Sequence, residues 1–469
     1  MKHKIIPSSI LWPFILLTTL FFAWAVPNNM TDTLLAAFKR IMSFSDSKTA
    51  WIQVVCYLLG YGFCAIPGAL FIKKYSYKKG ILLALSLYSA GALMFFPAML
   101  CLQVNAEISF LMYLLAMFIL FAGLSILETS ANSYVYAIGP EETSTQRLNF
   151  AQSFNPVGAI TSVIISQIFV LSRLNTMTAQ QRANLNPEEL MQIQGIELNA
   201  ITMTYLVIGL VMTGLIAAFY FTKMPDLKEG DEKLDFAGTF RRLIKNKNYV
   251  WGVIAQFFYV GAQIAVWSFI IQYVMRKLDL DQLVSSLGVD ARAETIMSAL
   301  RNVEPVAAGF YNLCERIGLD VLLPRTAEQA GATYYIMSLV LFFIGRFVCT
   351  ALMRYFQPKN MLALLSVLAV VLCFMTIYGQ GFMGIYALMG ISGCMSMMFP
   401  TIYGMGIKGL GKDTKIGGAG MIMAIAGAAV LTQIQGIVSD SFNIVIAYWI
   451  PAIAFMVIAF YSIVVCKKI

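Results

Sequence analysis

Residues 121–139 read FAGLSILETSANSYVYAIG, an apolar helix-length stretch with one carboxylate, Glu128, near its middle. A charged side chain at the centre of a membrane helix costs about 2.5–3.5 kcal/mol on insertion scales, so an acid kept there points to function. The run around it, 108–138, exceeds the length of about 20 residues that crosses a hydrocarbon core of about 30 Å. Similar runs lie near 10–37, 49–72, 80–101, 147–171, 201–222, 248–275, 333–354, 360–379, 382–406, 416–438 and 443–466. The chain has 469 residues, 59% hydrophobic and only 12% charged. Soluble domains carry about 25% charged residues. The fold class expected is an all-α membrane protein of twelve transmembrane helices.

A net charge of +9 invites a nucleic-acid reading, which its distribution rejects. With both termini cytoplasmic, the inner segments hold Lys2, Lys4, Lys73, Lys74, Lys78, Lys79, a basic stretch from Lys223 to Lys247, Lys408, Lys412, Lys415, Lys467 and Lys468. The short outer loops after the third, ninth and eleventh runs hold neither Lys nor Arg. That asymmetry is the positive-inside pattern, counted over short loops. It makes the protein a multi-pass protein of the cell membrane, the inner membrane in a two-membrane envelope. Lys2 and Lys4 before an apolar run, with Ala23-Trp24-Ala25, mimic a signal peptide and its cleavage site. The helical pattern continues to about Phe38, too long for a signal segment.

Enzyme classes find little footing. The one histidine, His3, lies in the N-terminal tail, and the eight cysteines have no metal-site or disulfide spacing. No cofactor or metal is expected. No nucleophile–base constellation is evident, so the reading is not an enzyme.

The polar stretch 223–247 divides the runs six and six. Lys74-Tyr75 with Lys79 reappears as Arg354-Tyr355 with Lys359. Gly123, Ser125, Tyr136 and Gly139 reappear at one offset as Gly390, Ser392, Tyr403 and Gly406. A duplicated unit follows: an N-terminal six-helix bundle (1–222), a cytoplasmic linker (223–247) and a C-terminal six-helix bundle (248–469) with an outer insertion at 276–332. Parallel repeats of this kind bind substrate near the bilayer midplane. Where the echo fails, Glu128 answers to Met395 and Asn132 to Phe399, so proton chemistry belongs to the first half.

Polar and aromatic residues recur at helical spacing on four runs: Trp24, Asn28 and Asp32; Ser125, Glu128 and Asn132; Gln152 and Asn155; Gln256, Tyr259, Gln263 and Trp267. Each set shares one helix face. Converging, the faces would form a polar cleft with aromatic walls. Carboxamides both donate and accept, as sugar hydroxyls require, and aromatic planes cover the apolar face of a pyranose. No basic cluster accompanies them, which favours a neutral monosaccharide over an anion. The alternative is that the amides tie helices together, at about 0.6 kcal/mol per pair. Desolvation disfavours the charged form of a carboxyl, so one in a poorly solvated cleft can hold a proton near neutral pH and release it when the cleft opens. Asp32 and Glu128 are the proton-coupling candidates. Their structural alternatives are a solvated helix-end acid and a pair with a distant cation. Arg346 has no acid nearby in sequence; carbonyls, an acid and substrate all remain open as its partners. A turn is expected at Gly409-Leu410-Gly411 and a helix break at Pro27.

Six segments, FFAWAVPNNMTD, PGALFIKKYSYKKG, ILETSAN, RLNFAQSFNPVGA, QFFYVGAQIAVWSF and FPTIYGMGIKGLGKDTK, together resemble the L-fucose:proton symporter group of the major facilitator superfamily, which includes glucose/galactose transporters. The resemblance spans nearly the whole chain. It implies the major facilitator fold, alternating access, and uptake of a neutral hexose with a proton. By position, Asp32 and Glu128 match the group's proton-linked acids. Trp24, Gln152 and Asn155 match its sugar site, and Tyr259, Gln263 and Trp267 line the same cavity. The loop FIKKYSYKKG departs from the superfamily in lacking an acid. A monomer is expected. A glucose/galactose transporter, a facilitator or sodium-linked carrier, and a sugar sensor without flux are the competing readings.

Overall fold

The computed structural model describes residues 6–42, 51–170, 173, 182, 184–225, 236–278, 305–319, 322–324 and 327–466. Among the described residues twelve helices are long and apolar enough to cross a membrane: Leu11–Met30, Val54–Lys74, Tyr77–Gln103, Ala106–Ala137, Glu141–Val170, Pro187–Phe221, Lys247–Leu278, Ala330–Leu352, Pro358–Tyr378, Phe382–Ile407, Gly411–Ser441 and Ile444–Val465. These are called spans one to twelve. Several of them start at side-chain caps, Asn246 accepting from the Tyr249 N–H at the start of the seventh. Ser76, Asn105, Asn186 and Asn443 accept from the backbone N–H of Lys79, Glu107, Glu189 and Ile446, satisfying donors that a helix start leaves open.

The cap at Asn186, with Pro187 in the first turn, starts the sixth span well before its apolar run at 201. Polar residues assigned to an outer segment are therefore helical, since a cap and good helix formers suffice where hydrophobic periodicity is absent. Glu197 on this extension receives both arms of Arg182, at 2.8 and 2.5 Å, and each side chain is 1% exposed. In the insertion 276–332, Pro305–Arg316 is a helix. The stretch AETIMSALRNV, at 293–303, lies outside the described residues.

Proline does not act uniformly. The first helix runs unbroken from Leu11 to Met42 through Pro27, against the break expected there. A proline removes only its own N–H bond, and a packed membrane helix can absorb that loss. The fifth and tenth spans do break. Helix Ser144–Gln152 gives way to Asn155–Ile165, and Phe382–Met395 to Met398–Ile407. Pro156 cannot donate to the Gln152 carbonyl, nor Pro400 to that of Ser396. The expected turn is present, with Gly409 and Gly411 at φ of +73° and +51°.

The contacts group the chain into two compact units, Met1–Ile254 with Ile402–Ala429, and Ala255–Thr401 with Val430–Ile469. In the first, the third span packs on the fourth and sixth, and the second on the fourth. The second unit repeats this with the ninth on the tenth and twelfth, and the eighth on the tenth. The first span lies on the fifth at Gly158, where an added Cβ would meet the Phe22 carbonyl oxygen and the Ala25 Cβ, so no larger residue allows that approach. Within the first unit the linker helix Phe236–Lys245 is latched by Arg242, whose Nε and Nη2 donate to Asp413 at 2.7 and 2.8 Å. Leucines and valines such as Val207 and Leu210 on the sixth span, and Leu364 and Val371 on the ninth, stay exposed. A bilayer solvates such a face as readily as a core would.

Candidate functional site

The fourth span, Ala106–Ala137, is buried continuously from Leu120 to Tyr136. Glu128 lies within that stretch at 6% exposure. Its Oε1 accepts a hydrogen bond from the Tyr61 hydroxyl at 2.8 Å, and no cation is among its described partners. The structural alternative, a pair with an Arg or Lys, has no counterpart among the described residues. One turn on, Asn132 Nδ2 donates to the Glu128 carbonyl oxygen at 2.9 Å, and Asn132 Oδ1 accepts from Gln152 Nε2 at 2.7 Å. Tyr61, Glu128, Asn132 and Gln152 therefore form one hydrogen-bonded series across three spans of the first unit. Buried side-chain series of this kind fix rotamers, because each unmade bond in a medium without water is costly. Ser125, a turn before Glu128, is fully buried and its Oγ has no hydrogen-bond partner among the described residues.

Gln152 sits at the break of the fifth span, and Asn155 opens the next helix, its Nδ2 reaching the Phe21 carbonyl oxygen at 3.4 Å. Trp24 is 2% exposed and packs on Phe21 with ring centroids 4.3 Å apart. Asn28 is half-buried, and its Oδ1 is enclosed without a partner. The side chain of Asp32 lies outside the described residues.

The second unit carries the seventh-span residues. Tyr259 is fully buried and donates to the Met395 carbonyl oxygen at 3.0 Å. Trp267 Nε1 donates to Ser392 Oγ at 3.1 Å, and its ring meets Phe342 edge-on at 5.1 Å. Gln263 is half-buried. Gln256 is fully buried with neither amide atom partnered. Arg346 is 2% exposed; its Nε donates to the Ser396 carbonyl oxygen, and its guanidinium lies over Phe342 at 4.6 Å. That carbonyl is the one Pro400 leaves without an N–H, so among the partners left open for Arg346 the structure includes a carbonyl. Met395, the counterpart of Glu128, offers its backbone where the first half offers a carboxyl.

Two residues escaped the sequence reading. Tyr61 follows Tyr57 by four residues, a spacing that places both rings on one helical face, yet the run around them is too apolar to single them out. Arg147 is fully buried. Its Nε and Nη2 donate to the carbonyls of Val135 and Tyr136 at 2.8 and 2.6 Å, and its Nη1 reaches Pro140 O at 3.2 Å. A helix end leaves its last carbonyls open, and a cation there also meets the negative end of the helix dipole. Among the described residues no group of three or more His, Cys, Asp or Glu could hold a metal ion, and all eight cysteines are free thiols.

An L-fucose-proton symporter of Haemophilus influenzae is 34% identical, over 98% of both chains. A glucose/galactose transporter of Brucella abortus is 27% identical, over 96% of this chain and 93% of its own. The crystal structure of FucP, a major facilitator superfamily transporter in the outward conformation, superimposes with a TM-score of 0.78 at 33% identity, covering 96% of this chain and 97% of that one. The family model described as Major Facilitator Superfamily matches residues 13–431. With twelve candidate spans among its described residues and a family model matching most of its length, the chain belongs to the major facilitator superfamily.

Proposed function

We propose that the chain is a proton-coupled symporter importing a neutral hexose, L-fucose first, by alternating access. The observation that carries this reading is Glu128: an acid buried on a membrane span with no cation among its described partners, one helical turn from the bonded amides of Asn132 and Gln152. The names of the relatives agree with it. An unpaired acid in a poorly solvated place can exist in both protonation states at moderate cost, which a proton carrier requires. Asp32, on the continuation of the first helix beyond Met30, is assigned as the second carrier.

Asn28, Asn132, Gln152 and Asn155 are assigned to sugar hydroxyls and Trp24 to the apolar ring face. Tyr259, Gln263 and Trp267 are proposed as sugar contacts through their own amide and aromatic chemistry. Gln152→Ala is expected to weaken sugar binding about tenfold, the worth of one or two buried hydrogen bonds. Titration of the purified protein with sugar measures it. Unchanged affinity with a lowered melting temperature would assign Gln152 to helix tethering instead. The lysine distribution supports cytoplasmic termini, and a monomer in the membrane is the proposed state.

The test is uptake of radiolabelled L-fucose into proteoliposomes with and without an inward proton gradient, in competition with galactose and glucose. Gradient-driven accumulation that only fucose-like sugars compete with is the expected result. Uptake of glucose or galactose instead would move the substrate to that of the Brucella relative. Sodium-driven uptake indifferent to pH would replace the coupling ion, and binding without flux of any sugar would make the protein a sensor.

A further inference from the structure

The Tyr61–Glu128 bond is built by the second span. This span opens as a π-helix, Val54–Phe63, whose wider turns displace side chains from their α-helical directions and recur at functional sites. Gly60, beside Tyr61, lies against the fourth span. A Cβ there would come within 2.7 Å of the Phe121 Cβ, so glycine lets the two helices close at this level. The Tyr61 ring meets Phe121 edge-on at 6.0 Å and stacks on Tyr57 at 6.2 Å, with 12° between planes. Clamped so, the phenol directs its hydroxyl to Oε1 of Glu128.

We propose that Tyr61 is a positioning residue for the proton carried by Glu128, a role that rests on the symport reading above. While Glu128 is a carboxylate, the Tyr61 hydroxyl donates to Oε1 and replaces a water hydrogen bond that burial removes. When the carboxylate takes up a proton, the new O–H bond forms at Oε2, because Oε1 is already the acceptor. Tyr61 keeps its own proton throughout. The carboxyl thus loads and unloads through one oxygen, on the side away from the phenol. The hydrogen bond is made to both states but is stronger to the anion, so it also sets the pH at which the proton leaves.

Among the described residues the ionisable surroundings leave this control to Tyr61. The phenols of Tyr57 and Tyr88 act electrostatically on Tyr61, and the Glu128 carboxyl acts in turn on the phenol of Tyr403. Lys73 and Lys74 on the second span and Lys78 and Lys79 on the third are not buried, and among the described residues two buried cations sit on elements packed against the fourth span. Arg147 is bound to the carbonyls of Val135, Tyr136 and Pro140, and Lys415 lies over the Tyr77 ring at 5.0 Å.

Tyr61→Phe removes the hydroxyl and keeps the ring that packs on Phe121. In proteoliposomes its gradient-driven uptake, whatever the amplitude, should have a pH profile displaced to higher pH by about one unit, since the anion loses a hydrogen bond. The pH profile of counterflow in Glu128→Gln should not move when Tyr61→Phe is added. An undisplaced profile in the single variant, or an equal displacement with glutamine at 128, overturns the proposal. Infrared difference spectra of the purified protein give a second readout. A protonated-carboxyl band present in wild type and absent in Glu128→Gln should shift in frequency in Tyr61→Phe, and an unmoved band equally overturns it. Wild-type uptake indifferent to pH would instead refute the symport reading, while the infrared band would still test the contact.

Discussion

Glu128→Gln is expected to lose all accumulation of sugar against its gradient while exchange of sugar across the membrane persists. Glutamine keeps the shape of the side chain and an oxygen that accepts from Tyr61 Oη, but it has no proton to load or release. With one proton per sugar, an inward gradient of one pH unit supports about tenfold accumulation, since a pH unit and a tenfold concentration ratio are each worth about 1.4 kcal/mol. The variant should settle at an internal-to-external ratio of about one in the same vesicles. Counterflow, which needs only alternating access of the loaded carrier, should continue. Steady-state ratios with radiolabelled sugar decide the matter, and accumulation as strong as wild type would remove Glu128 from coupling.

The second large effect is on folding. Arg147→Ala removes a fully buried guanidinium that donates to the carbonyls of Val135, Tyr136 and Pro140. Those at 135 and 136 end the helix that carries Glu128 and Asn132. Leaving buried carbonyls unsatisfied costs about 1–3 kcal/mol each, so a loss of about 2–6 kcal/mol is expected from the two whose bonds are buried, Val135 and Tyr136. Thermal unfolding in detergent, followed by size-exclusion fluorescence, should show a lower melting temperature and less folded protein. Arg147→Lys should recover only part, because a single ammonium cannot replace the planar fork that serves several carbonyls. A melting temperature equal to wild type in the alanine variant would mean that the capping contributes nothing.

Much of this architecture is written locally. Each span is an apolar run of membrane length. Ser76, Asn105, Asn186 and Asn443 cap helices from within four residues of the N–H they bind. The residue echo between Gly123–Gly139 and Gly390–Gly406 is matched by the repeated packing of spans in the two units. The stripe Glu128–Asn132 with Gln152 was legible because helical periodicity places residues on a shared face before any contact is known, and the structure joins those three by hydrogen bonds.

The rest depended on neighbours far along the chain. Pro27 resembles Pro156 and Pro400 in sequence, yet the first helix passes through its proline while the fifth and tenth spans break near theirs, so proline identity does not by itself decide the outcome. Arg346 had several possible partners until the Pro400 break exposed the Ser396 carbonyl to it. Tyr61 lies 67 residues from Glu128, and nothing local marks it as the acid's partner. Residue order alone sets the spans and the helix faces on which polar residues recur, because hydrophobicity and the 3.6-residue period act over a few turns. Which oxygen meets which donor follows from packing across the fold. That choice depends on helix rotation, on the close approach at Gly60 and on the wide turns of Val54–Phe63, all set by packing between segments distant in the chain.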